Sequence, residues 1–490
     1  MPERPTQTIV FSDLHLSDAE PDDPRRPMWR AFRQRAHFVD ADVIALVQHA
    51  LGRAEAAGEH LELVLNGDVF DFDPIMAQPD PPASRLHWLA RLRGLGTEQW
   101  MSAFKMGCIL KDHGELMQAL GEVARRGHTL VFVVGNHDLE LYWPDVQWQV
   151  RQALQVGEAE QANVRFCEWF YLSNADTYIS HGHLQDPYCT VPDPVHPLIS
   201  VGGEPRVRLP FGDVANRYML NGMGYFNPHA TANYIMTATE YVAFFFRYMF
   251  RTHPQLLWTW FWSAHITAAI TLAEFIRPAL RDPLTVEQRV DAIAERARAT
   301  PAMVRQLAAA TVPSACTNPL MIMRELWLDR GLLFVAMVYA AWQLVLAVNF
   351  LFPISPFWVL LPFGLLFPLF LQYSFHVKPE TFAKPLLDDG MAEQIRRITG
   401  AQMAVLGHTH QPTIETLGPL QVCNVGFWSP AFAEPECKRR IGTQTFAWIR
   451  PLGGGQRHLQ LWEWPPGAAA PLPYNPAAAE TVKLMASQRQ

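Results

Sequence analysis

The sequence predicts a layered α/β fold, and three features predict it. Short apolar runs end repeatedly in polar clusters: TQTIVFSD, LELVLNGD, TLVFVVGNHD and TYISHGH. Long helical patterns, over 30–57 and 97–126, lie between the first three. Strand texture returns near the carboxyl end, at 402–407, 419–425, 444–450 and 457–463. Strands alternating with helices lay helices against a sheet. A short apolar run bounded by turn residues reads as a buried strand, and the loop after it presents side chains at its carboxyl end.

Each segment follows in order. Residues 1–195 carry the alternating pattern and form the first part of the predicted domain. The texture then changes: 196–230 are rich in Pro and Gly, and 241–275 (YVAFFFRYMFRTHPQLLWTWFWSAHITAAITLAEF) are strongly aromatic. Residues 283–312 read as amphipathic helix with a turn at Thr300–Pro301. Together 196–325 are expected to be a helical insertion. Residues 331–375 contain no Asp, Glu, Lys or Arg. They break at Phe352-Pro-Ile-Ser-Pro356 into halves close to the ~20 residues a helix needs to span a bilayer core. A transmembrane hairpin over 326–378 is therefore expected. The domain resumes over 379–463. Residues 464–490, rich in Pro and Ala, are expected to be a disordered tail.

Bulk composition narrows the function. A formal charge of −7 over 490 residues argues against a general nucleic-acid binder, which usually carries a strongly basic face. Charged residues make up only 18% and aromatics 12%, a balance that fits partial contact with a membrane. Six cysteines, none in a C-x-x-C pair, suit reduced thiols in a cytoplasmic protein rather than a disulfide framework. The start, MPERPTQTIVFSDLHLS, leaves no room for a signal peptide, so the polar part is expected in the cytoplasm.

Five polar clusters stand at the ends of predicted strands: Asp13-Leu-His15, Gly67-Asp68-x-x-Asp71, Gly135-Asn136-His137-Asp138, His181-Gly-His183 and Gly407-His408-Thr-His410. One such cluster alone reads as a turn cap or a satisfied core histidine. Five in succession supply oxygen and imidazole donors suited to Mn, Fe or Zn, with glycines that let the backbone turn and a phosphate approach.

In this order, D-x-H, GD-x-x-D, GNHD, H and GHxH resemble the calcineurin-like metallophosphoesterase superfamily, over about residues 6–190 and 400–463. The resemblance implies a four-layer α/β/β/α sandwich and two divalent metal ions, manganese first, with iron or zinc as alternatives. Asp13, His15 and His410 would bind one ion, and Asn136, His181 and His408 the other, with Asp68 bridging. Such a pair clamps a phosphoryl group and generates a bridging hydroxide for in-line attack. His137 would stabilise the transition state or protonate the leaving oxygen, oriented by Asp71; a loop cap is the alternative for Asp71. Asn136 and His183 are expected to touch substrate, or His183 the backbone, and Asn424 to support a turn. SDLHLSD with LNGDVFDF is similar to the branch of UDP-2,3-diacylglucosamine hydrolases, which read GNRD at the third motif and lack an insertion of this size.

Arg324 and Arg330 precede the uncharged stretch, and His376, Lys378 and Lys384 follow it. Positive flanks at both outer ends place them in the cytoplasm, with a cell inner membrane as the expected location. Candidate ligands before and after the hairpin must meet, so the chain between must cross an even number of times. That argues against a lone span at 255–273. Its Trp258, Trp260 and Trp262 fit an interfacial helix instead, or a homo-oligomer contact. The arginine-rich run 25–35 reads as a solvated face or as a rim, Arg25 and Arg26 foremost, for phosphate or anionic lipid. The reading is a membrane-anchored phosphoesterase acting on a phosphate ester or pyrophosphate, lipid-linked in the leading version, with membrane lipids as partners and no nucleic acid. A soluble substrate such as a phosphoprotein or cyclic nucleotide is the alternative, and a non-catalytic scaffold a third.

Overall fold

The computed structural model describes residues 5–80, 88–224, 243–249, 256–377 and 386–475. It is a mixed α/β fold. Its strands are β1 Thr6–Phe11, β2 His60–Asn66, β3 Thr129–Val133, β4 Val164–Cys167, β5 Phe170–Ser173, β6 Thr177–Ser180, β7 Leu198–Val201, β8 Glu204–Val207, β9 Met403–Leu406, β10 Thr413–Leu417, β11 Leu420–Asn424, β12 Thr445–Gly453, β13 Gln456–Glu463 and β14 Leu472–Pro473. One sheet has the order β14-β13-β12-β1-β2-β3-β4, parallel from β1 to β4 and antiparallel beyond β1 on the other side. A second has the order β10-β11-β9-β6-β5, with β9 parallel to both β11 and β6. β7 and β8 form a separate hairpin.

The central strands β1, β2 and β3 are apolar on both faces because both are covered. Val10, Val64 and Val131 join Tyr171, Ile179, Val405 and Cys423 of the second sheet in one buried cluster. Their neighbours Ile9, Leu63 and Leu130 turn the other way, as the two-residue period requires. They pack with Val43 and Leu46 of helix Asp40–Ala57 and Leu116 and Leu120 of helix Gly114–Arg125. Burying each such side chain contributes roughly 1.5–3 kcal/mol.

Several boundaries differ from expectation. The helix expected from residue 30 starts at Asp40; Arg30 before it is left-handed, at φ 50°, and the intervening turns are short 3₁₀ pieces. The pattern at 97–126 breaks at His113, whose ring bonds Asp40 and the Ser17 carbonyl between helices Gln99–Asp112 and Gly114–Arg125. Residues 286–296 and 301–309, assigned to the insertion, are helices whose Val290, Ile293, Val304 and Leu307 belong to the main core. Thr300 caps the second, as its position before Pro301 suggests. The predicted tail is ordered at its start: Trp464 is buried, and β14 pairs with β13. Residues 476–490, along with Lys378 and Lys384, lie outside the described residues.

The aromatic stretch yields helix Leu256–Ile276, which exposes Trp258, Phe261 and Trp262 and buries Ser263, Ala264, Thr267 and Thr271. The uncharged stretch forms helix Leu328–Leu351, a 3₁₀ turn Pro356–Val359 and helix Leu360–His376. Phe334 packs against Phe363 and Phe370 at 5.6 and 5.8 Å between ring centres, closing the pair. Among the described residues, the helical segments Leu328–Leu351 and Pro356–His376 are long and apolar enough to cross a membrane, and 17% and 0% of their most apolar windows are buried.

Candidate metal centre

β1, β2 and β3 run parallel, so the loops after them emerge along one edge. Past the strand ends the first two loops stay joined: Asp13 N donates to Gly67 O (3.1 Å), and His15 N to Asp68 O (2.9 Å). Asp138 ties the third loop to the second, accepting from Val69 N at 2.9 Å and from Gly135 N. Two glycines are fixed by close approach. A Cβ on Gly67, at φ 82°, would sit 2.4 Å from the His181 ring, and one on Gly135 would sit 2.2 Å from Asp68 Oδ1.

All seven expected ligands come to this edge. Asp13, His15 and His410 form one group able to hold a metal ion; Asp68, His181 and His408 form another. His15 Nε2 lies 3.9 Å from both Asp13 Oδ1 and Asp68 Oδ2, which puts Asp68 beside both groups. Asp13, His15, Asp68, His408 and His410 all have positive φ, from 47° to 70°. Each non-glycine residue so held costs on the order of 1 kcal/mol, and such strain concentrates at functional sites.

Outer contacts select the ring nitrogens. The His181 Nδ1 hydrogen points at the Asn66 carbonyl (2.9 Å), which leaves Nε2 facing Asp68 Oδ2 at 3.0 Å. His408 Nε2 meets Asp186 Oδ2 at 2.9 Å, freeing Nδ1. Asp71 stands between two rings, with Oδ2 3.6 Å from His15 Nδ1 and Oδ1 3.2 Å from His137 Nδ1. Carboxylates or carbonyls behind imidazoles are the usual support of a metal-binding histidine. Asn424 bonds Gly407 O (2.6 Å) and Gly426 N (3.1 Å), shaping the turn after the last histidine pair.

The electrostatics are compatible with a bound cation. Burial alone would raise the carboxyls of Asp13 and Asp68, but the surrounding imidazoles outweigh it and hold both below the ordinary range. Burial likewise opposes charge on His181 and His137, and is outweighed by Asp68 and Asp13 for the first, which is pushed up to about 9, and by Asp71 and Asp68 for the second, which is held well above its usual value. Burial keeps His15 low, hence neutral and able to ligate. Among the described residues, no Lys or Arg forms an ion pair with Asp13 or Asp68. Asn136 Oδ1 is buried without a hydrogen-bond partner. Carboxylates surrounded by imidazoles, without Lys or Arg, and an orphaned carboxamide oxygen fit one or two divalent ions.

Not every expectation is met. Arg25 and Arg26 are exposed at a turn beside Asp23, with Arg26 Nε 3.4 Å from it, and neither is on a helix. The arginines of that run which reach the site's edge are Arg30 and Arg33: both buried, they line a cleft with Asp71 and Asp73. His183 is closed off from solvent, 5.7 Å from the His181 ring. Three groups escaped sequence reasoning. Asp73 lies 3.5 Å from His137 Nδ1, with burial first and Asp71 next among the causes that push its carboxyl up to about 7. Asp186 and Asp213 are the others. No protein-family model and no curated protein matches the chain.

Proposed function

We propose that the protein is a dinuclear metal-dependent phosphoesterase of the calcineurin-like type, anchored in a membrane by its hairpin. In this reading the two sheets and their helices form a four-layer α/β/β/α sandwich. The carrying observation is the convergence of Asp13, His15 and Asp68 with His408 and His410, drawn from positions up to 397 residues apart. Two divalent ions, manganese first with iron or zinc as alternatives, would supply charge to the phosphoryl oxygens and acidify the attacking water. Asp13, His15 and His410 would hold one, Asn136, His181 and His408 the other, and Asp68 both. His137 donates its Nδ1 hydrogen to Asp71; its Nε2 proton is the one delivered to the leaving oxygen.

The membrane part rests on exposure. A soluble core helix of such hydropathy would be mostly buried, whereas these two helices bury little or nothing of theirs. Asp13 and His410 meet, so a spanning excursion between them must cross an even number of times, and a hairpin does so. The metal site then stands at one membrane face, the cytoplasmic one by the flanking charges. A phosphate ester or pyrophosphate presented there, lipid-linked by preference, is the substrate class.

The test is a turnover screen of the detergent-solubilised protein with Mn2+, covering phosphomonoesters, phosphodiesters and nucleotide-linked lipids. No turnover of any of them by protein with Mn2+ bound refutes the enzyme. Equal turnover of short- and long-chain forms of one ester removes the lipid-linked part.

A further inference from the structure

Asn136 is the one candidate ligand that is a carboxamide, so nothing in its own chemistry decides whether oxygen or nitrogen faces a cation. An NH2 group so turned would repel the ion and leave the position unfilled. Asp213 decides it. The Asn136 Nδ2 donates to Asp213 Oδ1 at 3.3 Å, and Asn136 Oδ1 is thereby left pointing elsewhere, buried and unpartnered. Asp213 is fully buried, its Oδ2 also lacks a partner, and its Oδ1 lies 3.9 Å from His137 Nδ1. Burial pushes its carboxyl up, yet a proton on Oδ2 still leaves Oδ1 accepting, so the orientation survives either protonation state.

Asp213 belongs to none of the strand-end motifs. It sits in the short helix Phe211–Ala215, inside the predicted insertion. Close packing seats that helix. Gly212 N donates to Tyr188 O at 2.9 Å, and a Cβ on Gly212 would come within 2.8 Å of Cys189 Sγ. Phe211 shares a buried cluster with Ala264 of helix Leu256–Ile276. The element carrying Asp213 is thus clamped between the loop after β6 and the helix that exposes its aromatic face.

We infer that Asp213 is a positioning residue, which holds the Asn136 carboxamide with Oδ1 toward the second cation, so that the insertion sets the occupancy of that site. The inference rests on the two-cation reading. Asp213→Leu removes the acceptor while keeping the branch at Cγ in a larger side chain, and weakens the second ion about 10- to 100-fold, as loss of a supporting group does; the first ion binds as before. Asn136→Ala shows the same pattern. Asp213→Asn keeps an acceptor oxygen and restores the second site to within about threefold of wild type. Gly212→Ala keeps Asp213 but lifts it off Cys189, and loosens the same site.

The experiment uses full-length protein in detergent and Mn2+ alone, with bound ions counted by elemental analysis and affinities read by electron paramagnetic resonance. Two ions bound as in wild type by Asp213→Leu, or an Asp213→Asn variant as weak as Asp213→Leu, overturns the inference. Should Asp213→Leu not fold, an unaltered second site in Gly212→Ala overturns it equally. A wild-type chain that binds fewer than two ions sinks the two-cation reading itself, and the inference with it.

Discussion

Asp71→Asn keeps the shape of a buried carboxylate and removes its charge, and the structure predicts a smaller loss than its position suggests. Its Oδ1 lies 3.2 Å from His137 Nδ1, and Asp73 Oδ2 lies only 3.5 Å from the same atom. At an effective dielectric constant near 20, a charge pair at either distance is worth ~5 kcal/mol, and the two differ by ~0.4 kcal/mol. Asp73 is held up to about 7, first by burial, with the Asp71 charge next among the raising causes. Removing that charge lets Asp73 ionise and take over the imidazolium. The single variant therefore loses at most about tenfold in kcat, Asp73→Asn less, and the double variant the full ~10²–10⁴ of a proton donor. Asp71 also supports His15, so turnover is measured at saturating Mn2+, while Mn2+ affinity, expected to fall ~10-fold, is followed separately. Additive losses in the double-mutant cycle, within about 0.5 kcal/mol, refute the takeover.

His137→Ala should retain both ions by elemental analysis and lose ~10²–10⁴ in kcat, and unchanged turnover removes it from the mechanism. His181, pushed up to about 9, must shed its proton to ligate, so Mn2+ affinity rises about tenfold per pH unit toward pH 9 and then levels. In the metal-free protein the sign reverses: stability from that proton is full below 6.5 and is lost as pH rises through about 9, which melting curves across that window check. Gly67→Ala forces a Cβ against the His181 ring and a strained φ, so the second ion should be lost first in a Mn2+ titration. Val338→Arg, at an exposed position near the middle of helix Leu328–Leu351, should cost about 2.5–3.5 kcal/mol of membrane insertion. On a soluble surface the same change stays within about 0.5 kcal/mol, so an unaltered membrane fraction after carbonate washing counts against the span.

Most strands legible in the sequence are covered on both sides. β1, β2, β3, β6, β9, β11 and β12 read as apolar runs because helices or the opposite sheet bury them, whereas β13 shows through the alternation that buries Leu459 and Leu461. β4 and β5 run together in the sequence as VRFCEWFYLS, with Arg165 and Glu168 among the apolar residues and no turn residue to divide them. β10, TIETL, is a sheet edge open to solvent and carries little apolar signal. The ligands were legible because parallel strand ends deliver them in fixed motifs. Asp73 was within reach, as the third carboxylate of GDVFDFD. Asp186 and Asp213 were not. Asp186 follows a short turn and Asp213 sits in a five-residue helix, both in Pro- and Gly-bearing sequence without period, and each meets its imidazole or carboxamide only through tertiary folding.

The insertion is bound into the α/β fold rather than hung from it. Asp213 holds Asn136, and the helices over 286–309 fill the main core, just as Asp186 ahead of the insertion holds His408. The hairpin obeys the same rule. At its base the Arg330 guanidinium grips the Val377 carbonyl, and Tyr373 Oη donates to Asp329 Oδ2 at 2.8 Å, so entry and exit are pinned side by side. Its far end carries Phe352, Phe357 and Trp358, all exposed, and no charge. Charge and hydrogen bonds at one end and aromatic side chains at the other define a polar axis. Along that axis only the base suits water, while the tip suits lipid or its far interface. A chain that leaves and returns through one latched point keeps the two halves of the candidate metal site together at any depth the tip reaches. The even crossing proposed from the order of the candidate ligands would thus be set by the contacts at the hairpin's base.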